Sequence, residues 1–211
     1  TGWVMDLASR ERLVTLARAH KVWLLEDASY AFLASAAPPP LAALAPERTV
    51  YVSSLSKSVG GGVRLGYVAL PAQLVARCER TLRAIAWSQP TLMSALGAHW
   101  LDTGCVRRLE QDKRSAARAK QQLALRCLAG LKLQSHPDSF FVWVRLPEAV
   151  RAEPLTMRLA ELGIAVTPSS AFAVAVSYPH AIRLNLGAAS LEVLACALPV
   201  VRDTIEAMGL A

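Results

Sequence analysis

Hydrophobic positions recur along this chain with two different periods, and their alternation predicts a mixed helix and strand order. Between Leu7 and His20, apolar residues at Leu13, Val14, Leu16 and Ala17 fall among Arg and Glu at helical spacing. Val22–Leu25 is instead a short unbroken apolar run ending in Glu26-Asp27, which predicts a buried strand. Pro38-Pro39-Pro40 marks a loop, Thr49–Ser54 (TVYVSS) a second buried strand, Gly60–Gly62 a flexible turn and Leu65–Leu70 a third strand. Short apolar strands alternating with helices predict an α/β fold whose sheet is mostly parallel and covered on both faces.

Pro71–Trp87 and Pro90–Leu101 carry helical patterns, and the periodic segment Val106–Leu131 predicts one long helix leading away from the sheet. Beyond it the texture changes. Phe140–Leu146, Ile164–Thr167 and Ala181–Leu186 read as strands, Pro154–Leu162 as a helix, and Ser190–Met208 as a closing helix kinked or broken at Pro199. Three strands and two helices make a small α+β domain. The expected division is therefore 1–104 for part of a large domain, 105–131 for a connecting helix and 132–211 for the small domain.

With 211 residues, 54% of them hydrophobic, the chain can bury a core. No apolar run approaches the roughly 18–20 residues of a membrane span, and the start lacks a basic-then-apolar leader, so a soluble, cytoplasmic protein is expected. Cys78, Cys105, Cys127 and Cys196 are far apart and His20, His99, His136 and His180 are scattered. That spacing gives neither a disulfide framework nor a zinc site and predicts buried free thiols. A net charge of +7 raises a nucleic-acid reading, but the basic residues between Arg107 and Arg126 are interleaved with Glu110 and Asp112, as on a solvated helix face. The chain opens at Thr1-Gly2 and runs at once into a helical pattern, which reads as a piece of something longer.

The chemistry concentrates in Ser53-Ser54-Leu55-Ser56-Lys57-Ser58-Val59-Gly60-Gly61-Gly62-Val63-Arg64, at the end of a buried strand. A lysine beside hydroxyls and small residues suits attack on a carbonyl, and Ser with Arg suits a phosphate. A P-loop is excluded because its glycines precede the lysine, and G-x-G-x-x-G fails at Leu65. Alone, the stretch fits a surface lysine in a glycine-rich turn equally well. Asp27 and Tyr30 change the picture, because they bring a carboxylate and a phenol to the carboxyl edge of a parallel sheet, where open α/β folds bind ligands. An acid there can keep a pyridinium nitrogen protonated. By itself Asp27 would serve as readily as a helix cap or a satisfied loop carboxylate.

Glu26-Asp27-x-x-Tyr30, followed by Ser54-x-Ser56-Lys57 and Gly62-x-Arg64-x-Gly66-Tyr67, resembles the fold-type I (class I/II) aminotransferases that use pyridoxal 5'-phosphate. The likeness extends to Thr1-Gly2, similar to the tail of the family's N-P-T-G turn, to the helix with Arg10 and Arg12 behind it, and to Ile182-Arg183-Leu184-Asn185. It implies the C-terminal part of the large domain plus the small domain. It further implies that Lys57 holds the cofactor as a Schiff base and shuttles a proton between substrate Cα and C4′. Asp27 would pair with the ring nitrogen, Tyr30 with the phenolic oxygen, Ser54, Ser56 and Arg64 with the phosphate, and Arg183 with a substrate α-carboxylate. Tyr67 reads as a packed strand residue, and Asn185 is left open.

Arg64 seven positions after Lys57, the Pro38–Leu41 phrase with Ala42–Arg48 and the Ser53–Lys57 wording are most similar to the MocR group of GntR-type regulators. There an N-terminal winged helix-turn-helix is fused to an aminotransferase-like domain that senses a small amine or amino acid. This implies a homodimer, DNA contact only through an N-terminal domain absent from this chain, and no membrane. An active class I/II aminotransferase is the alternative, and a scaffold that binds no cofactor the third reading. The segment that precedes the N-P-T-G turn in the family, with its ring-stacking aromatic and phosphate-cradling loop, is missing, so exposed sheet and interface surface is expected.

Overall fold

The computed structural model describes residues 2–209, and Thr1 of the Thr-Gly pair lies outside them. The chain divides into two compact units, one of Val4–Lys113 and one of Arg114–Ala211 with Thr1–Trp3.

The first unit begins with α1 (Leu7–Ala19), whose N-cap Asp6 accepts a 2.7 Å bond from the Ser9 amide. The buried face of α1, Val14 and Ala17, packs with Leu24, Leu41 and Ala45, contributed by β1 (Leu24–Asp27), by α2 (Leu41–Leu44) and by the residue that follows α2. Arg10 ties these pieces together. Its guanidinium meets Glu26 at 3.1 Å, with both side chains largely buried, and also donates to the Pro39 carbonyl. The other Glu26 oxygen accepts from the Ala42 amide, so the acid before Asp27 anchors the strand end to the proline loop.

Strand β2 (Thr49–Ser54) pairs in parallel with β1, Leu24 opposite Thr49 and Asp27 opposite Val52. It runs directly into α3 (Leu55–Ser58), a single helical turn, and the chain returns as β3 (Gly66–Ala69). This third strand is antiparallel to β2, so the parallel character rests on the β1–β2 pair alone. The cause is the short connection: Leu55 N–H donates to the Leu65 carbonyl at 2.9 Å, a tight reversal, whereas a parallel return needs a long crossover. The expected cover on both faces is also incomplete. Every residue of β3 is exposed, and Leu25 of β1 is 73% exposed. Helix α4 (Ala72–Ala86) has no buried residue, and α5 (Thr91–Asp102) and the start of α6 (Cys105–Cys127) follow.

The second unit takes the rest of α6, then β4 (Lys132–Ser135), β5 (Phe141–Arg145), α7 (Ala152–Glu161), β6 (Thr167–Pro168), β7 (Ala181–Asn185) and α8 (Leu191–Gly209). Its sheet has the order β4-β5-β7-β6 with every pair antiparallel. Val142, Val144, Ile182 and Leu184 alternate onto one face and meet Leu155, Leu159, Leu198, Val201 and Ile205 of α7 and α8 in a fully buried core. At Gly2, with φ +69, an added Cβ would meet the His136 nitrogen at 3.0 Å, so glycine is required both by conformation and by space.

Several readings change here. Four strands replace three: Lys132–Ser135 holds only one apolar residue, so its pattern gave no strand signal, and the long helix stops at Cys127 before a turn through Gly130 (φ +93). Ile164–Thr167 contributes strand only at Thr167–Pro168. Helix α8 continues unbroken through Pro199, flanked by the buried Leu198 and Val201. The four cysteines are free, but Cys196 is exposed and the other three are half-buried rather than buried. Among the described residues, no helix is long and apolar enough to cross a membrane, and no cluster could hold a metal ion.

Candidate functional site

The parallel pair β1–β2 delivers the first unit's chemistry to its carboxyl end. Asp27 is the last residue of β1, and the Ala28 amide beyond it still bonds to the Val52 carbonyl at 2.8 Å. Ser53 Oγ donates to the Ala28 carbonyl, holding the two strand ends together. Asp27 Oδ1 accepts both from Ser29 Oγ at 2.6 Å and from the Ser29 amide at 2.9 Å. The Ser29 hydroxyl, and then its amide, hold the Asp27 carboxyl below the usual carboxylate range. Both bonds use Oδ1, so Oδ2 remains to accept from a ligand.

Tyr30 follows at the start of the 3-10 turn Ala31–Leu33. Lys57, exposed on α3, places Nζ 5.5 Å from the Tyr30 ring centroid, so lysine and tyrosine share one space. Ser54 is the N-cap residue of α3, Ser56 lies within it, and buried Leu55 anchors the turn against Val63 and Val106. Arg64, exposed and left-handed at φ +49, precedes the Leu65 whose carbonyl accepts from the Leu55 amide, so the chain that carries it returns to the start of α3. Gly60, Gly61 and Gly62 have open space around them. One unit therefore gathers Asp27, Tyr30, Ser54, Ser56, Lys57 and Arg64 at one strand end.

Arg183 belongs to the second unit, at the centre of β7 opposite Trp143 of β5. Strand alternation turns it away from the core that Ile182 and Leu184 enter. Its guanidinium lies 4.9 Å from the Phe141 ring centroid and 4.5 Å from that of Phe172, and its buried Nε has no hydrogen-bond partner. No carboxylate among the described residues pairs with it. A cation held between two aromatic faces with its donors unspent suits an anionic ligand. Asn185 is committed locally, accepting from the Gly187 amide at 3.0 Å, and Tyr67 is exposed on β3 rather than packed.

Sequence reasoning missed Ser29, Phe141, Phe172 and Lys113, whose Nζ donates to the Lys57 carbonyl at 2.8 Å. Ser29 had a local signal, since an Asp two residues before a Ser favours this turn. The others are long-range contacts.

An amine, a carboxylate held ionised, a phenol and a hydroxyl–guanidinium set on a strand–turn–helix are groups suited to a carbonyl and a phosphate. The profile of the aminotransferase class I and II family matches residues 1–198, and the chain belongs to that family. It is 28% identical to the HTH-type transcriptional regulator YdeF of Bacillus subtilis over 96% of this chain and 44% of YdeF. It is 29% identical to the HTH-type transcriptional regulator TauR of Rhodobacter capsulatus over 82% of this chain and 37% of TauR. Among solved structures it superposes with a TM-score of 0.87 on LysN, the α-aminoadipate aminotransferase of Thermus thermophilus, complexed with N-(5'-phosphopyridoxyl)-L-leucine. That match has 23% identity and covers 96% of this chain and 55% of LysN. The chain thus spans about half the length, or less, of the proteins it matches. The donor set fits pyridoxal 5'-phosphate, the cofactor this family implies: Asp27 stays anionic for a ring nitrogen, and the Lys57 amine stands beside the Tyr30 ring.

Proposed function

We propose that this chain is the pyridoxal-phosphate-binding part of an aminotransferase-like domain, and that the domain is the effector sensor of a MocR/GntR-type transcriptional regulator. The observation that carries the cofactor assignment is the Lys57 amine over the Tyr30 ring, at the same strand end as an ionised Asp27. The similarity to YdeF and TauR supports the regulatory reading. In it, residues 1–104 contribute to the large domain, 105–131 connect, and 132–211 form the small domain. The protein acts in the cytoplasm as a homodimer and reaches DNA through a domain outside this chain.

Pyridoxal 5'-phosphate, when bound, supplies an electron sink for the bonds at the Cα of an amino acid. Lys57 would hold the cofactor through Nζ, and in the aminotransferase alternative the same amine would move a proton at substrate Cα. Asp27 accepts the ring N–H through the oxygen that Ser29 leaves free. Tyr30 donates to the phenolic oxygen, while Ser54, Ser56 and Arg64 bind the phosphate. Arg183 takes the effector's α-carboxylate in a bidentate fork, with Phe141 and Phe172 fixing the guanidinium plane. The ligand class that follows is a small amino acid or a related amine.

The test is a pyridoxal 5'-phosphate titration followed by absorbance, on this chain and on the full-length protein, each with Lys57→Ala. The expected result is a band in the full-length protein that needs Lys57. Its absence there would overturn the assignment. Adding amino acids should then shift the band and alter DNA binding without releasing an oxo acid. Steady oxo-acid production would make the domain an aminotransferase instead.

A further inference from the structure

Lys57 is exposed on a short turn whose neighbours Leu55 and Ser58 are buried. Helix α3 is four residues long, so its carbonyls have almost no partners of their own. The Leu55 carbonyl accepts from the amides of Val59 and Gly60, and among the described residues the Lys57 carbonyl has no backbone donor. Three glycines follow, none with a neighbour that a side chain would touch. On the amino side the turn is anchored by β2 and by buried Leu55. On the other side buried Ser58 and Val59, which packs against the Leu55 cluster, hold the turn, and a residue 56 positions away adds a polar tie: Lys113 Nζ donates to the Lys57 carbonyl at 2.8 Å and reaches the Val59 carbonyl at 3.4 Å.

Helix α6 is built for this contact. Val106, buried, packs against Leu55, and Lys113 stands seven residues on, two turns along the same face. One face of α6 therefore grips the lysine turn twice, apolar at its start and charged at its end. We infer that Lys113 is a positioning residue for Lys57: its ammonium, bonded to the Lys57 and Val59 carbonyls, fixes the turn from which the Lys57 amine projects. An ammonium suits the task because it offers three donors from a compact head and can serve two carbonyls at once. The partial burial that these bonds require pushes the Lys113 amine down from its ordinary range.

The inference rests on Lys57 being the cofactor lysine, and its test separates the two claims. In the full-length protein, Lys113→Met and Lys113→Arg are compared with wild type by amide hydrogen exchange across residues 55–63 without cofactor, and by pyridoxal 5'-phosphate affinity and the Lys57-dependent absorption band. Lys113→Met should speed that exchange and weaken the affinity by about tenfold each, with an altered band, and Lys113→Arg should recover most of both. Exchange and affinity within about twofold of wild type in Lys113→Met would overturn the inference. If that variant does not fold, Lys113→Gln, which keeps a neutral donor, is held to the same threshold. Failure of the cofactor reading looks different: wild type itself shows no band that needs Lys57, whatever the exchange rates of the turn.

Discussion

The two units of this chain solve the problem of burial in opposite ways. The second unit closes a one-sided antiparallel sheet with α7, α8 and the end of α6, and Val142, Val144, Leu155, Leu159, Ile182 and Ile205 lose all solvent contact. The first unit carries almost all of the candidate chemistry but distributes its apolar residues among small clusters, such as those around Val14 and around Leu55. Helix α4 contributes nothing to them, and Ile85 at 80% and Trp87 at 88% exposure face outward. Large apolar side chains left this exposed suit contact with another surface. The site is thus held by polar ties, such as Arg10 to Glu26 and Lys113 to the Lys57 turn, where the second unit relies on packing.

The comparison is most easily broken in the second unit's core. Leu155→Ala or Ile205→Ala should cost about 2–5 kcal/mol in urea unfolding, because each empties a fully enclosed position. A cost below about 1 kcal/mol at both would show that this core is not the dominant support. Next in size is Gln121, 1% exposed, whose amide donates to the Ser139 carbonyl at 2.7 Å and the Phe141 carbonyl at 3.0 Å. Gln121→Met strips both carbonyls of that donor and should cost about 1–3 kcal/mol. It should also loosen Phe141, and hence the Arg183 guanidinium beside it. Hydrogen exchange over β5 reads that directly.

The first unit's site was legible because its members lie in contiguous motifs. Asp27 and Tyr30 end one apolar run, and Ser54, Ser56, Lys57 and Arg64 follow another, so locating the two strands located these candidates. The class of fold was legible for the same reason. Lys113 was not, since its partner is far away in sequence and its helix is full of similar cations. Phe172 was hidden at the end of a 3-10 turn, Ser169–Phe172, too short to show periodicity, and β4 in a polar stretch whose strand character comes only from pairing with β5. The direction of β3 depended on how tightly eleven residues could turn, from Leu55 to Leu65, and apolar pattern does not report that.

In the first unit the corresponding deletions should do little to the isolated chain. Ile85→Ala removes a side chain that is already in water, so its effect on unfolding should stay within about 0.5 kcal/mol. Its effect should appear instead in self-association of the full-length protein, followed by sedimentation. A loss comparable to Leu155→Ala would mean that α4 packs far better than its exposure indicates, and the contrast between the units would disappear.

The smallest effect tests the polar ties themselves. Asp27 titrates below the ordinary carboxylate value because Ser29 donates twice to its ionised form. A carboxyl with a lowered folded pKa contributes stability above its unfolded pKa, and that contribution is lost as the pH falls through the folded value. Ser29→Ala removes the hydroxyl bond, the larger of the two causes, and keeps the amide bond. The Asp27 carboxyl, followed by NMR, should therefore move up toward the ordinary value. The stability difference between wild type and variant should be present near neutral pH and shrink on acidification through the Asp27 titration. Because Asp27 is exposed, solvent screens the effect and it stays small. An unmoved titration would mean that the hydroxyl does not hold the carboxylate, and Asp27 would then depend on its strand alone for the charge that the site requires.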